Sequence, residues 1–287
     1  MTVEQVSPSV FVETGFLGSN DSAIVTPDGL VLIDAPHKPT DAKAWAQTVS
    51  ALGEVRYLVN TDHHPDHTIG NRWLPGTTVS YRGTRETLEN AAPTREYLRD
   101  LFGRIDPAAV PLVDSYEVRL PEITYTGELS LYVGGRRVDL YFVPGHTANN
   151  TVIHLPDEGV VFTGDNVCSA GLPSFQDSEL HDWFAALDFI DSLAPRVIVP
   201  GHGDIGGPEL VGRFRELGRE LISEVAAGMR NGTGLATLAD RIRFPDNIHV
   251  DTEAYVGYPD DLIETFQRNT ITRLHRDLGT DPELATR

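Results

Sequence analysis

The chain has 287 residues, enough for a well-buried core in one large or two small domains, and its 40% hydrophobic and 23% charged residues describe a soluble globular protein. A formal charge of −19 repels phosphate backbones and argues against nucleic acid as a partner. A single cysteine, Cys168, excludes an intrachain disulfide, and no basic-then-apolar leader or membrane-length apolar run is visible, so the expected setting is cytoplasmic, with no membrane partner.

Strand and turn signals come first. "SVFVETGF" has a strand pattern, and "DSAIV", "TPDG" and "LVLIDAP" read as a hairpin turned by Pro and Gly. Thr40 to Leu52 shifts to helical spacing, with Thr40 or Asp41 as the expected cap. The apolar run "VRYLVNT" fits a buried strand and ends directly at "DHHPDH". "GTRETLENAAPTREYLRDLFGRI" reads as helix interrupted at Pro93. Strand patterns return in "DSYEVRLP", "ITYTGELSLYV", "RRVDLYFVPGH", "NTVIHLP" and "GVVFTGD". "DSELHDWFAALDFIDSLA" is helical, and "RVIVPGHG" is a strand entering a glycine-rich loop.

Beyond His202 the pattern changes. Leu210, Phe214, Leu217, Leu221, Val225 and Met229 recur at helical spacing and predict a long amphipathic helix. Leu262, Phe266, Ile271 and Leu274 predict a second, stopped at Gly279. The expected organisation is a body over residues 1–207 and a helical extension over 208–287 packed on it.

The residues that carry chemistry all follow β-branched runs. Asp62, His64, Asp66 and His67 follow "VRYLVNT", His146 follows "YFVPG", Asp165 follows "VVFTG" and His202 follows "VIVPG". Rigid strand ends with Gly or Pro beside them are suited to aiming short side chains at one point. The order H-x-H-x-D-H, G-H-T, G-D, G-H-G resembles that of the metallo-β-lactamase superfamily over about the first 205 residues. The resemblance implies an α/β fold, a four-layer αββα sandwich, with the C-terminal helices added. It also implies two divalent metal ions, zinc foremost. In that scheme Asp62, His64 and His146 hold the first ion, Asp66, His67 and His202 hold the second, and Asp165 bridges them. Asp66 would also be catalytic, orienting the nucleophile and protonating the leaving group, and Asp34 would support the metal loop from beneath.

One position departs from the family pattern. Asp62 stands where the family has histidine, and His63 follows it. Either Asp62 ligates through oxygen, or the loop shifts and His63 takes the place; side-chain alternation in extended chain turns His63 away and favours Asp62. A third carboxylate lowers the charge of a two-ion site by one unit, weakens Lewis acidity, and shifts preference toward manganese or iron. Cys168, three residues after Asp165, reads as a buried, inert thiol. His37 reads as a loop histidine near the site, Trp45, Trp73 and Trp183 as packing, and Tyr255, Tyr258 and His249 as candidates to line the pocket.

The expected function is hydrolysis of an ester, lactone, thioester or amide of a small molecule by a metal-bound hydroxide. The absence of a visible leader argues against a β-lactamase, the charge against a nuclease, and the lack of a C-terminal basic cluster against a glutathione thioesterase. The alternatives are a di-iron or di-manganese oxidoreductase on the same scaffold, and a degenerate, non-catalytic metal-binding protein. Nothing in the sequence fixes an oligomeric state.

Overall fold

The structure is a computed structural model that describes residues 2–171, 173–242 and 257–286. The first sheet has seven strands in chain order, β1 (Val3–Gln5), β2 (Val10–Glu13), β3 (Asp21–Thr26), β4 (Gly29–Ile33), β5 (Val55–Val59), β6 (Thr77–Tyr81) and β7 (Ile123–Tyr125). It is antiparallel through β4 and parallel from β4 to β7. The second sheet has the order β12-β11-β10-β9-β8, built from β8 (Glu128–Val133), β9 (Arg136–Phe142), β10 (Thr151–Leu155), β11 (Val160–Phe162) and β12 (Val197–Val199).

Strand alternation assembles the layers. Val31 and Ile33 of β4 face the second sheet, which answers with Leu140 and Ile153, while Leu30 and Leu32 of β4 face outward onto Trp45 and Val49. Those last two belong to α1 (Pro39–Ser50). On the far side, Val152, Val161 and Ile198 of the second sheet pack under α5 (Leu180–Ser192) and α6 (Glu209–Arg230), with α8 (Asp260–Thr280) beyond. The result is helix, sheet, sheet, helix, the four-layer arrangement expected from the sequence. The remaining helices are α2 (Pro65–Thr68), α3 (Arg82–Asn90), α4 (Arg95–Ile105) and α7 (Leu235–Arg241).

Two sequence expectations fail for identifiable reasons. "DSYEVRLP" forms no strand: its first two residues end a 3₁₀ segment (Pro107–Ser115) and the rest runs over the α4 cluster, where Tyr116 is buried and Val118 packs. Its Arg119 guanidinium donates to the carbonyls of Leu74 and Gly76, so this stretch is fastened by a side chain rather than a ladder. The cap of α1 is neither Thr40 nor Asp41. The helix starts at Pro39, whose missing N–H costs nothing in a first turn, and Thr40 N–H and Oγ1 both donate to Asp106. "ITYTGELSLYV" divides at Thr126–Gly127, its first half closing one sheet and its second half opening the other.

The predicted amphipathic helices pack over part of their stripes: Leu217 and Met229 of α6 are only partly buried, and Leu262 and Phe266 of α8 stay out of the core. Leu210, Phe214, Leu221 and Val225 of α6 are buried in one cluster with Leu187 and Trp183 of α5 and with Ile271 and Leu274 of α8. Each such side chain contributes about 1.5–3 kcal/mol by leaving water. Contact between α5 and α6 depends on Gly218, where a Cβ would lie 2.4 Å from Trp183 Cη2. Trp183 is 1% exposed and stacked edge-on against Phe175 and Phe214, so it has little room to yield. Gly218→Val should therefore lower the urea-unfolding free energy by about 1–3 kcal/mol through overpacking, despite valine's better helix propensity.

Candidate metal centre

Four strand ends meet at one edge of the sandwich. After β5 the chain turns through Asn60 and Thr61, and the Asn60 and Asn71 side-chain amides exchange hydrogen bonds of 3.0 and 2.8 Å. Asn60 Nδ2 also donates to the His67 carbonyl. The two asparagines thus close the loop that holds Asp62, His64, Asp66 and His67. Asp62 Oδ1 accepts the His64 backbone N–H at 2.7 Å, which fixes one oxygen on the loop and leaves Oδ2 facing the site.

Outer hydrogen bonds orient three of the four histidines. A carboxylate or carbonyl partner only accepts, so the ring nitrogen facing it carries the proton. His67 Nδ1 donates to Asp34 Oδ2 at 2.9 Å, His146 Nδ1 to the Ser174 carbonyl at 3.1 Å, and His64 Nε2 to Asp177 Oδ2 at 3.2 Å. The opposite nitrogens converge, and an ion that displaces the protons they carry would meet their lone pairs. His64 Nδ1 lies 3.1 Å from both Asp62 Oδ2 and His146 Nε2. His202 Nε2 lies 3.3 Å from Asp66 Oδ2, with His67 Nε2 4.0 Å from the same oxygen. Asp165 stands between the two groups, with Oδ2 3.6 Å from His146 Nε2 and 3.1 Å from His202 Nε2, and Oδ1 3.3 Å from His67 Nε2.

The structure therefore brings Asp62, His64 and His146 into one group and Asp66, His67 and His202 into another, each with ligand atoms within 4.8 Å of one another. His63 lies outside both; its Nδ1 faces the Asn149 amide at 3.1 Å. The donor set suits divalent ions. Asp62 Oδ2, His67 Nε2 and Asp165 Oδ1 are buried without a hydrogen-bond partner, three unpartnered polar atoms around one region. Backbone packing holds Asp165 there, since a Cβ on Gly201 would lie 1.8 Å from its Oδ1.

Electrostatics follow from the same geometry. Burial pushes His202 down, but Asp165 and Asp66 outweigh it and raise the imidazole to about 10. Burial likewise opposes His67 and His64, and neighbouring carboxylates raise both well above the usual range. His146, lowered by burial, stays below it. Burial raises Asp62, Asp66 and Asp165, yet the surrounding histidines hold all three below the ordinary carboxylate range.

Of the outer partners, sequence reasoning found Asp34, which accepts from His67, and missed the rest. Asp177 orients His64, Ser174 orients His146, and Asn166 Oδ1 accepts the His146 N–H while its Nδ2 donates to the Val143 carbonyl. Asn20 Nδ2 donates to the carbonyls of Pro200 and Gly203 and clamps the His202 loop. Asn and Ser in loops carry no distinguishing spacing, although Asn60 and Asn71 do bracket the histidine patch.

A cavity of about 200 Å³ opens over both groups, with His64, Asp66, His146, Asp165 and His202 as its floor. His37 and Tyr258 line it together, the Tyr258 hydroxyl 3.1 Å from His37 Nδ1. Cys168 lines it too, half-buried, its thiol pushed up by burial and by Asp165. Tyr255 and His249 lie outside the described residues. Trp45 and Trp183 are core, and Trp73 packs partly buried against the α4 cluster.

Two outcomes are expected from this geometry. Asp34 accepts from His67, Thr61 N–H and Thr61 Oγ1, so Asp34→Asn should weaken zinc binding at the Asp66 group 10–100-fold, as about that loss follows removal of an outer partner; competition with a chromophoric chelator measures it. Metal entry must also displace the proton that His202 holds up to about 10. Because that value is raised above the ordinary one near 6.5, the stabilisation it gives the metal-free chain is present below about pH 6.5 and lost as pH rises toward 10. Zinc affinity should rise across that window, about tenfold per pH unit for each proton displaced, and zinc added in weak buffer should release protons.

Comparison with known proteins agrees with the layered fold. The family model described as metallo-beta-lactamase superfamily matches residues 14–202. A metallo-beta-lactamase type 2 from Pseudomonas aeruginosa is 24% identical over 75% of this chain and 83% of its own. A hydroxyacylglutathione hydrolase from Erythrobacter litoralis is 24% identical over 62% of this chain, which spans 55% of that longer protein. The solved structure of a metallo-beta-lactamase family protein from Thermus thermophilus superposes with a TM-score of 0.69 at 17% identity, covering 97% of this chain and 95% of that one. With its family match across most of the sandwich and its paired histidine–carboxylate groups at the strand ends, the chain belongs to the metallo-β-lactamase superfamily.

Proposed function

We propose that this protein is a metal-dependent hydrolase of a small-molecule ester, lactone, thioester or amide, with Asp66 as its proton-transferring residue. One observation carries the reading: two groups of converging histidine nitrogens and carboxylate oxygens, joined through Asp165, form the floor of a single cavity. Divalent ions held there, two in number and zinc foremost, supply acidified water and a polarised carbonyl. The chain's own residues do the rest. Asp66 lines the cavity with Oδ2 3.3 Å from His202 Nε2, a position from which its carboxylate can accept a proton from the nucleophile and return it to the leaving group. Its position is set from below, where the Ser19 hydroxyl donates to the Asp66 carbonyl at 2.8 Å. The likeness to a hydroxyacylglutathione hydrolase supports hydrolysis at a carbonyl.

A second reading, an iron or manganese oxidoreductase, has Asp62 in its favour. With Oδ2 of Asp62 in the first group, oxygen donors are more numerous than in an all-histidine trio, and hard donors suit those metals. Metal analysis after growth in iron-replete and zinc-replete media separates the two: full hydrolytic activity in protein holding only zinc removes the oxidoreductase. In a screen of aryl esters, lactones and thioesters, Asp66→Ala should lower kcat/KM for any hit by about 10²–10⁴, the usual contribution of a positioned acid–base group. A variant that turns over as fast as the parent would show that Asp66 has no such role.

A further inference from the structure

The cavity above the site is walled mostly by apolar side chains, and its chemistry selects among the bonds just named. Leu262, Ile263 and Phe266 of α8 face it from one side, Tyr97 of α4 closes another, and Ala170 borders the floor. On α8 these residues form a stripe separate from Ile271, Leu274 and Leu278, which are buried in the core. Phe266 is 37% exposed and Tyr97 41% exposed, so neither is consumed by packing. Among the described residues, none lining the cavity is Lys or Arg. An anionic tail lying along Leu262 and Ile263, away from the floor, would lose its hydration without gaining a cation from the wall, and the chain's charge of −19 adds to its repulsion. At about 200 Å³ the space is smaller than the roughly 300–1,000 Å³ of sites for drug-sized ligands.

We infer that the substrate is an uncharged carbonyl compound carrying a short apolar chain, which lies along Leu262, Ile263 and Phe266 while its carbonyl meets the floor. This rests on the hydrolase reading for the reaction but not for the binding. Dicarboxylates, phosphorylated acyl compounds and glutathione conjugates are excluded as substrates by the same wall.

Binding is tested without turnover. Zinc-loaded full-length protein is titrated calorimetrically with methyl ketones from butanone to octanone, and with the same ketones carrying a carboxylate at the far end. Kd for the neutral series should fall about fourfold per methylene until the cavity is filled, each methylene being worth about 0.8 kcal/mol. The carboxylates should bind at least tenfold more weakly. Ile263→Lys should narrow or reverse that tenfold preference, and Phe266→Ala should flatten the dependence on length; both side chains lie outside the buried core, so the fold should survive. Aryl alkanoates of growing acyl chain and alkyl acetates of growing alkoxy chain then tell which side of the bond carries the chain: a falling KM in either series supports the inference. Kd independent of length, or carboxylates bound as well as neutral ketones, overturns it even where esters are hydrolysed. Length-dependent ketone binding with no hydrolysis of any ester overturns the hydrolase reading and leaves the wall's specificity standing.

Discussion

Three carboxylates and four imidazoles share one edge of the sandwich, and the rest of the architecture depends on how that charge is balanced. Asp62 is fully buried and Asp165 nearly so, and each has an oxygen without a hydrogen-bond donor. Buried charge left unpaired is strongly destabilising. Protons on His64, His67 and His202 can partly balance these carboxylates, and divalent ions can replace those protons where the lone pairs converge. In either state the nitrogens must stay aimed inward, which is the task of Asp34, Ser174 and Asp177 behind them.

That requirement explains the loops. A strand end fixes where a loop begins but not where its side chains point, so each loop has a clamp of its own. The Asn60–Asn71 pair closes the first, Asn166 holds the His146 turn, and Asn20 reaches from the start of β3 to the His202 turn. Asp34, at the end of β4, adopts a left-handed backbone with φ 58°, uncommon for a residue with a side chain. Its two oxygens accept from Thr61 N–H, Thr61 Oγ1 and His67 Nδ1 together, which is compensation enough for that conformation.

Legibility from sequence divided along the same line. Residues meant to converge on a metal were legible because they recur in fixed order after β-branched runs, and central strands such as β4 and β11 were legible because both of their faces are buried and apolar. The placement of Asp62 in the first group and of His63 against Asn149 agrees with the alternation argument. Asp177, Ser174 and Asn166 were not legible, since what identifies them is a partner distant in sequence. The "DSYEVRLP" segment misled because its alternation is real: Tyr116 and Val118 do face apolar neighbours, but those neighbours are the α4 cluster, and Arg119 takes up carbonyls that a ladder would have used. Apolar periodicity reports that a face is covered, not by what.

Asp62 can now be judged by both of its oxygens. Oδ1 accepts the His64 N–H and shapes the turn, so a single oxygen is left for an ion and ligation through both is disfavoured. Histidine at this position would offer a nitrogen of greater reach but no second acceptor for the His64 N–H, and an orphaned buried donor costs about 1–3 kcal/mol. The loop is therefore built around a carboxylate rather than merely tolerating one. His64, the neighbour it shapes, is in turn held from outside by Asp177, so the first group is braced by acidic side chains on two sides. An ion bound there would meet an oxygen donor where the family has a nitrogen, which would suit a harder cation and leave it a weaker Lewis acid.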